Sequence, residues 1–433
     1  MKQISSIMGV GATLWLALTL QAAATPLTLG EAVKLAHGRH LSVQASQHML
    51  RSAQAQQREA ASRYWPSISL ETGPSYSHLP GAGFGSIPGM GGMVGFPSSG
   101  TVVDTTLSVR QTLFDSFATH DAVRFAELGV EIGQQQLKQV EQETMLNAAL
   151  AYFQVLRAEG LRRVAAENAK QNADHMRLGR SRLAAGTTTQ MDVLQLQAIS
   201  ANAQVALIQA ENAVEIARLG LSNAINQPLD NRELVAPQAF AVLATADAAK
   251  LATVQQRPDF QQAQLRMKQS ETRASLEGRG LWPTVSANSR YSQRDTNQGT
   301  LSAGVTVSWN ALDSSRVLSR ISASENEAEA SRLQLQLTQQ AIELELQRGL
   351  KTRDEAQRRA VALKEGLSAA QEAYRLAKSR FELGLAMQVE LRDVQTTLVQ
   401  TENNMLQAET DWREAEVRLA RAMGVDLAGF LGR

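Results

Sequence analysis

The sequence has no cysteine in 433 residues, few aromatic residues (5%), only ten prolines and almost no net charge, with 43 Lys and Arg against 42 Asp and Glu. Without cysteine there is no disulfide framework, no thiolate metal site and no lipid attachment at a mature N-terminal cysteine. Balanced charge gives no electrostatic reason to bind nucleic acid or an anionic membrane surface. Scarce proline, together with long Ala/Gln/Glu/Leu/Arg tracts, points to extended helices and away from a compact enzyme. Beyond the first 24 residues no segment approaches the ~18 uninterrupted apolar residues of a spanning helix. A mature chain that enters a membrane must therefore do so with strands, whose alternation hides the apolar signal.

Catalytic chemistry is equally scarce. The six histidines, His37, His40, His48, His78, His120 and His175, form no metal-binding spacing. Neither a phosphate-cradling Gly-rich Lys loop nor a serine-nucleophile elbow is present. Gly81-Ala82-Gly83-Phe84-Gly85 is glycine-rich but lacks a following helix and Lys. Met90 and Met93 have no His or Cys close by, so they read as loop filler and not as soft metal ligands. The sequence predicts no enzyme, no cofactor and no metal site.

What is present begins with Lys2, an apolar run from Ile7 through Leu20, and Ala22-Ala23-Ala24, which fits a small-x-small cleavage site. Residues 1–24 read as a signal peptide, with the mature chain starting at Thr25. A search for self-similarity then finds two halves that match in order. Arg63-Tyr64-Trp65-Pro66-Ser67-Ile68-Ser69 answers Gly280-Leu281-Trp282-Pro283-Thr284-Val285-Ser286. Val109 to Ser116 answers Val307 to Ser314, and Arg182-Leu183-Ala184-Ala185-Gly186 answers Arg380-Phe381-Glu382-Leu383-Gly384. The interval from Asp115 to Gly186 equals that from Asp313 to Gly384. The Trp-Pro to Asp intervals differ because the first half carries an extra Gly-, Pro- and Met-rich stretch, His78 to Gly100, which reads as a long exposed loop.

Each half has two strand-like runs, about 66–78 and 101–114 in the first and about 283–293 and 299–310 in the second. Val103, Thr105, Leu107 and Val109 alternate with Asp104, Thr106, Ser108 and Arg110, and Leu301, Ala303, Val305 and Val307 alternate with Ser302, Gly304, Thr306 and Ser308. About ten residues of period two suit a transmembrane barrel strand, and equally a soluble sheet with one wet face. Counting separates the two. Four strands cannot close a barrel and would leave edge groups unsatisfied in lipid, so the chain has to pool strands with other copies, and three copies supply twelve.

Between the strands lie helical tracts. Ala118 to Leu183 has no proline, and its apolar residues Phe125, Leu128, Ile132, Val140, Ala148, Tyr152 and Val155 fall at steps of roughly three and four; at 1.5 Å per residue it extends roughly 100 Å. Gly186 stops it, and Thr189-Gln190-Met191-Asp192 resembles a capping box that restarts a helix to about Asn226. The pattern thus predicts long hairpins at 118–226 and 314–423. Segments 40–63 and 258–280 are expected to stack end-on above the shorter returning helices. Small residues such as Ala198, Ala201, Ala203, Ala206 and Ala210 would permit close helix packing. The chain then divides into 25–226, a first repeat; 227–256, a linker expected to form an equatorial belt; 257–423, a second repeat; and 424–433, a tail.

This arrangement resembles the TolC-like outer-membrane efflux factor family over essentially all of the mature chain. The matching elements are Leu29-Gly30-Glu31-Ala32-Val33, the paired Trp-Pro strand entries, and the turns Gly186 to Leu194 and, more loosely, Gly384 to Asp393. The resemblance implies a homotrimer with a 12-stranded outer-membrane β-barrel continued by a periplasmic α-helical barrel. It implies a passive exit duct, partnered by outer-membrane lipid, a periplasmic adaptor and an energising inner-membrane transporter, with no nucleic acid. A periplasmic adaptor or a coiled-coil tether is the competing reading, and the sequence leaves drugs, metals and polypeptides open as cargo. By the same resemblance, Glu390 and Asp393 take the places of inward acids at a pore constriction, with Asp192 a further candidate. Acids early in a helix also complement its dipole. The tip residues Leu183, Ala184, Ala185, Gly186, Leu383, Gly384 and Leu385 would dock the adaptor. Phe381 and Ala386 depart from the family's tyrosine and arginine latch, so closure is expected to rest on packing or on pairs involving Arg182, Arg380 or Arg392.

Overall fold

The computed structural model describes residues 26–78, 99–229, 232–237, 254–294, 299–309 and 314–431. The signal-peptide segment, most of the Gly- and Met-rich loop and residues 238–253 of the linker lie outside the described residues. The elements run α1 (Leu29–Arg39), α2 (Leu41–Ser62), β1 (Ser67–His78), β2 (Ser99–Phe114), α3 (Ala118–Ala184) and α4 (Gln190–Ile225). The same kinds of element then recur as α5 (Pro258–Gly278), β3 (Thr284–Arg294), β4 (Thr300–Ser308), α6 (Ser314–Glu382) and α7 (Gln388–Ala422), with a short α8 (Leu427–Leu431) at the end.

The helix ends follow from local chemistry. Thr28 and Glu31 form a reciprocal capping box on α1. The Asp115 carboxylate accepts the Thr119 backbone N–H at 2.8 Å, starting α3 immediately after β2. With no proline inside them, α3 and α6 continue for 67 and 69 residues, and each spans roughly 100 Å. Around the bundle the helices lie in the order α4, α3, α7, α6, with α2 against α3 and α5 against both α3 and α6.

The four strands form one antiparallel sheet in the order β1-β2-β3-β4. Leu70 faces Leu107, Leu107 faces Tyr291 and Tyr291 faces Leu301, so one apolar row crosses all four strands. A bulge between Thr112 and Phe114 bends β2 as it leaves the sheet.

The main core lies midway along α3. Tyr152, Phe153 and Val155 meet Leu29 and Val33 of α1, Leu221 and Ile225 of α4, Val417 of α7 and Leu427 of α8. Leu27, a member of this core, bridges in parallel to Leu234. The buried Tyr152 hydroxyl lies 2.9 Å from the Leu27 carbonyl and 2.7 Å from that of Val235, and burial pushes its pKa up to about 12. It is therefore protonated throughout the neutral range and donates into the linker.

The shorter segments meet the returning helices at their ends. Asn226 Nδ2 donates to the Arg39 carbonyl at 3.1 Å, joining the end of α4 to the α1–α2 junction. In the second half Arg257, 4% exposed, donates to the Ala422 carbonyl at 2.8 Å and pairs with Asp259 and Glu345. One buried guanidinium thus satisfies the open end of α7 and fixes the start of α5 above it.

Candidate functional site

The ends of the two long hairpins lie together. At both turns the helix closes with a Schellman pair: Gly186 N–H donates to the Leu183 carbonyl and Thr187 N–H to that of Arg182, while Gly384 N–H donates to Phe381 and Leu385 N–H to Arg380. Gly186 and Gly384 have φ of +72° and +75°, which glycine adopts without the Cβ penalty of other residues. Beyond the first turn, Thr189 and Asp192 form the capping box that restarts the chain as α4.

Of the expected docking residues, Ala184, Ala185, Gly186, Leu383, Gly384 and Leu385 are exposed, with Leu383 at 74% and Leu385 at 68%. Leu183 is half-buried instead. The apolar surface is completed by Met387, 77% exposed, and Met191, 74% exposed. Neither methionine carries a sequence signal of exposure, since Met at a helix start reads equally well as core. Between the two turns lies a groove of 640 Å³ lined by Thr188, Asp192, Phe381, Leu383, Met387 and Val389.

The candidate constriction acids are all engaged within the chain. Glu390 accepts from Arg380 at 3.1 Å, and Asp393 from Arg392 at 3.1 Å. The Asp192 carboxylate accepts the Thr189 N–H and the hydroxyls of Thr188 and Thr189, and these bonds hold it below the usual carboxylate range. Its geometry is that of a helix cap, the alternative the sequence left open. Glu390 and Asp393 sit on one face of α7, each with an arginine beside it.

Phe381 is the centre of the contact between the hairpins. It is 7% exposed and belongs to one buried apolar cluster with Tyr374, Ala377, Leu391 and Leu398. Arg182, coming from the other hairpin, stacks its guanidinium 4.6 Å from the Phe381 ring centre and donates to the Phe381 carbonyl at 2.9 Å. His175, two turns before Arg182 on α3, packs edge-to-face with the same ring, the two ring centres 6.1 Å apart. Burial, reinforced by Lys378, pushes the His175 pKa below its ordinary value, and its Nε2 has no hydrogen-bond partner. The phenylalanine that lacks a latch hydroxyl is thus held by a cation, one edge-on ring and the apolar cluster around it.

At the opposite end of the helices exposed aromatics gather where the strands begin and end. Tyr64 and Trp65 precede β1, Phe114 ends β2, Trp282 precedes β3 and Trp309 follows β4, all exposed. The strands beyond them expose Ile68, Leu70, Val305 and Val307 on one face. Among the described residues no helix is long and apolar enough to cross a membrane, and no group of three or more His, Cys, Asp or Glu is placed to hold a metal.

Comparison with known proteins covers nearly the whole chain. The family model described as outer membrane efflux protein matches residues 32–227 and 252–425. The outer membrane efflux protein BepC of Brucella suis biovar 1 (strain 1330) is 24% identical over 344 residues, which is 78% of this chain and 75% of that protein. The Campylobacter jejuni CmeC outer membrane channel superposes with a TM-score of 0.80 at 14% identity, covering 93% of this chain and 86% of that one. The outer membrane protein VceC of Vibrio cholerae gives 0.76 at 15% identity, covering 92% and 96%. At these identities the two solved structures speak for the fold alone.

Proposed function

Because this chain belongs to the outer membrane efflux protein family, and is an outer-membrane efflux channel by that membership, we propose that it works as a homotrimer whose copies complete one another's walls. The observation that carries this reading is the pair of open edges. The sheet ends in β1 on one side and β4 on the other, and the helical layer ends in α4 and α6. Unpaired strand edges are not tolerated in lipid, so β1 of one copy pairs with β4 of the next and three copies make twelve strands.

The helical edges support the same closure. On α4, Leu194, Val205, Ile208, Ile216 and Leu219 are exposed and fall within an arc of roughly 80° at 100° per residue. On α6, Leu318, Leu333, Leu337, Leu344 and Leu376 are exposed and fall within roughly 100°. Each edge helix thus presents an apolar stripe to a neighbouring copy. Such a ring is a duct, with the aromatic collar at the periplasmic lipid boundary and the paired turns at the far tip.

Transport energy comes from an inner-membrane transporter, and the exposed Leu383, Leu385, Met387 and Met191 at the tip receive a periplasmic adaptor's helical hairpin. Glu390 and Asp393 are the acids of the constriction, held by Arg380 and Arg392 until the tip moves. An adaptor or a tether fits less well, since neither requires an amphipathic sheet with aromatic ends. The test is conductance of the purified protein in planar bilayers. Stepwise channels support the duct, whereas folded protein that inserts and passes no current overturns it.

A further inference from the structure

We propose that the lumen wall of the strand region carries a basic band, built from Arg110 and Arg290, that favours anionic solutes. The inference rests on the trimeric duct proposed above. Strand pairing sorts the side chains onto two faces without ambiguity: Ile68, Leu70, Leu107, Val109, Tyr291, Leu301, Val305 and Val307 share the apolar face, which belongs to lipid. The opposite face belongs to the lumen. Its charged residues are Glu71, Asp104, Arg110, Arg290 and Arg294, two carboxylates against three guanidiniums.

Those charges are not evenly spread. Asp104 lies directly opposite Arg294 and pairs with it at 2.9 Å, which neutralises the level nearer the strand tops. Arg290 stands opposite Ser108, and Arg110 opposite Asn288. The two arginines are therefore diagonal neighbours on adjacent strands, roughly 7 Å apart at Cα. Neither guanidinium has a hydrogen bond or ion pair among the described residues, and both side chains are exposed. Glu71, the one other unpaired charge on this face among the described residues, sits on β1 opposite Thr106, a full strand removed from Arg290 and on another level. In a trimer the band holds six guanidiniums, with their neutralising acids elsewhere. Arginine does not lose its proton, so the band is positive at every physiological pH.

Ser108 lies between the two arginines on the lumen face, and the natural chain has no cysteine, so Ser108→Cys provides a unique thiol. The experiment compares its rates of reaction with an anionic sulfonate and a cationic trimethylammonium methanethiosulfonate, in intact outer membranes, each normalised to a free thiol in solution. A local potential of one kT should favour the anionic reagent by about sevenfold, since the two reagents respond with opposite sign. This readout does not depend on whether the distant tip is open. Adding Arg110→Gln and Arg290→Gln should return the ratio to near one, and Arg110→Lys with Arg290→Lys should keep it. If the glutamine pair fails to assemble, raising salt from 0.1 M to 1 M shortens screening from about 10 Å to 3 Å and should collapse the ratio in the parent chain.

A ratio near one in the parent at 0.1 M salt, or a ratio that survives both neutralisation and high salt, overturns the band and leaves the duct standing. The face assignment has its own control. If Leu107→Cys reacts with the charged reagents and Ser108→Cys does not, the apolar face is the wet one and the barrel reading falls with the band.

Discussion

Replacing Phe381 by alanine should loosen the contact between the two hairpins at the tip. The ring is 7% exposed and stacked on Arg182 at 4.6 Å, with His175 in an edge-to-face contact. Buried Phe→Ala changes cost about 3–5 kcal/mol in a closed core. The tip is thin and can partly collapse, so the lower figure of about 3 kcal/mol applies, corresponding to about a hundredfold shift in a two-state equilibrium between joined and separated hairpins. Arg182→Ala removes a cation–π contact of about 0.5–1 kcal/mol and a charged hydrogen bond of about 1.5 kcal/mol, for about a thirtyfold shift. Phe381→Leu keeps most of the buried area and should shift it by only about threefold. Tyr374 still donates to Gln171 at 2.9 Å and Gln395 to Asn168 at 2.9 Å, so the hairpins remain joined nearer the middle and the protein stays folded. Single-channel recording measures the effect as open probability and conductance. The expected order is Phe381→Ala above Arg182→Ala above Phe381→Leu. Equal conductance and open probability in all three, with trimers intact, would refute the clamp.

Acidification should loosen the same contact. The His175 pKa is depressed, so its neutral form suits the folded tip; the destabilisation begins as pH falls below the ordinary value of 6.5 and is complete below the depressed one. Open probability should rise between pH 7 and pH 5, and His175→Gln should remove that rise. Alanine at both Glu390 and Asp393 should reduce cation preference and block by trivalent cations, whereas Arg380→Gln, which frees Glu390, should strengthen block; no change in any of these variants would take both acids out of the constriction. Arg257→Met leaves the Ala422 carbonyl and Asp259 without their cation and Glu345 with Arg421 alone, and should cost about 3 kcal/mol in thermal unfolding followed by circular dichroism. An unchanged melting curve would mean that the α5–α7 junction is held by packing. Cysteines introduced at Ala185 and Leu385 should capture the adaptor in crosslinking, and capture only from the strand loops would remove the tip from the docking surface.

Local chemistry made much of this architecture legible. The turns at Gly186 and Gly384, the capping box from Thr189 to Asp192 and the uninterrupted helices between them follow from rules acting within a few residues, and β1 to β4 followed from alternation. The helical ends of strands were less sharp: β4 stops at Ser308, because pairing with β3 runs out at Thr284. The Arg182–Phe381 clamp joins residues 199 positions apart, and no local pattern specifies which of several tip arginines reaches it. The role of Asp192 depended on geometry in the same way, since a cap and a pore acid occupy the same sequence position at a helix start. Leu183 read as a tip residue because it adjoins the turn, yet it is half-buried, since the cover a side chain receives in the last helical turn depends on tertiary packing. The exposed methionines at 191 and 387 were missed for the converse reason, as only the placement of the neighbouring hairpin decides whether an apolar side chain at a helix start is covered.

The open edges β1 and α4 on one side, and β4 and α6 on the other, demand neighbours, and the number of neighbours is the central claim. Native mass spectrometry of the detergent-solubilised protein released from outer membranes measures it directly. The account predicts one dominant species with three times the mass of the mature chain, stable to detergent exchange. A stable, folded monomer, or a closed ring of any other number, would contradict it.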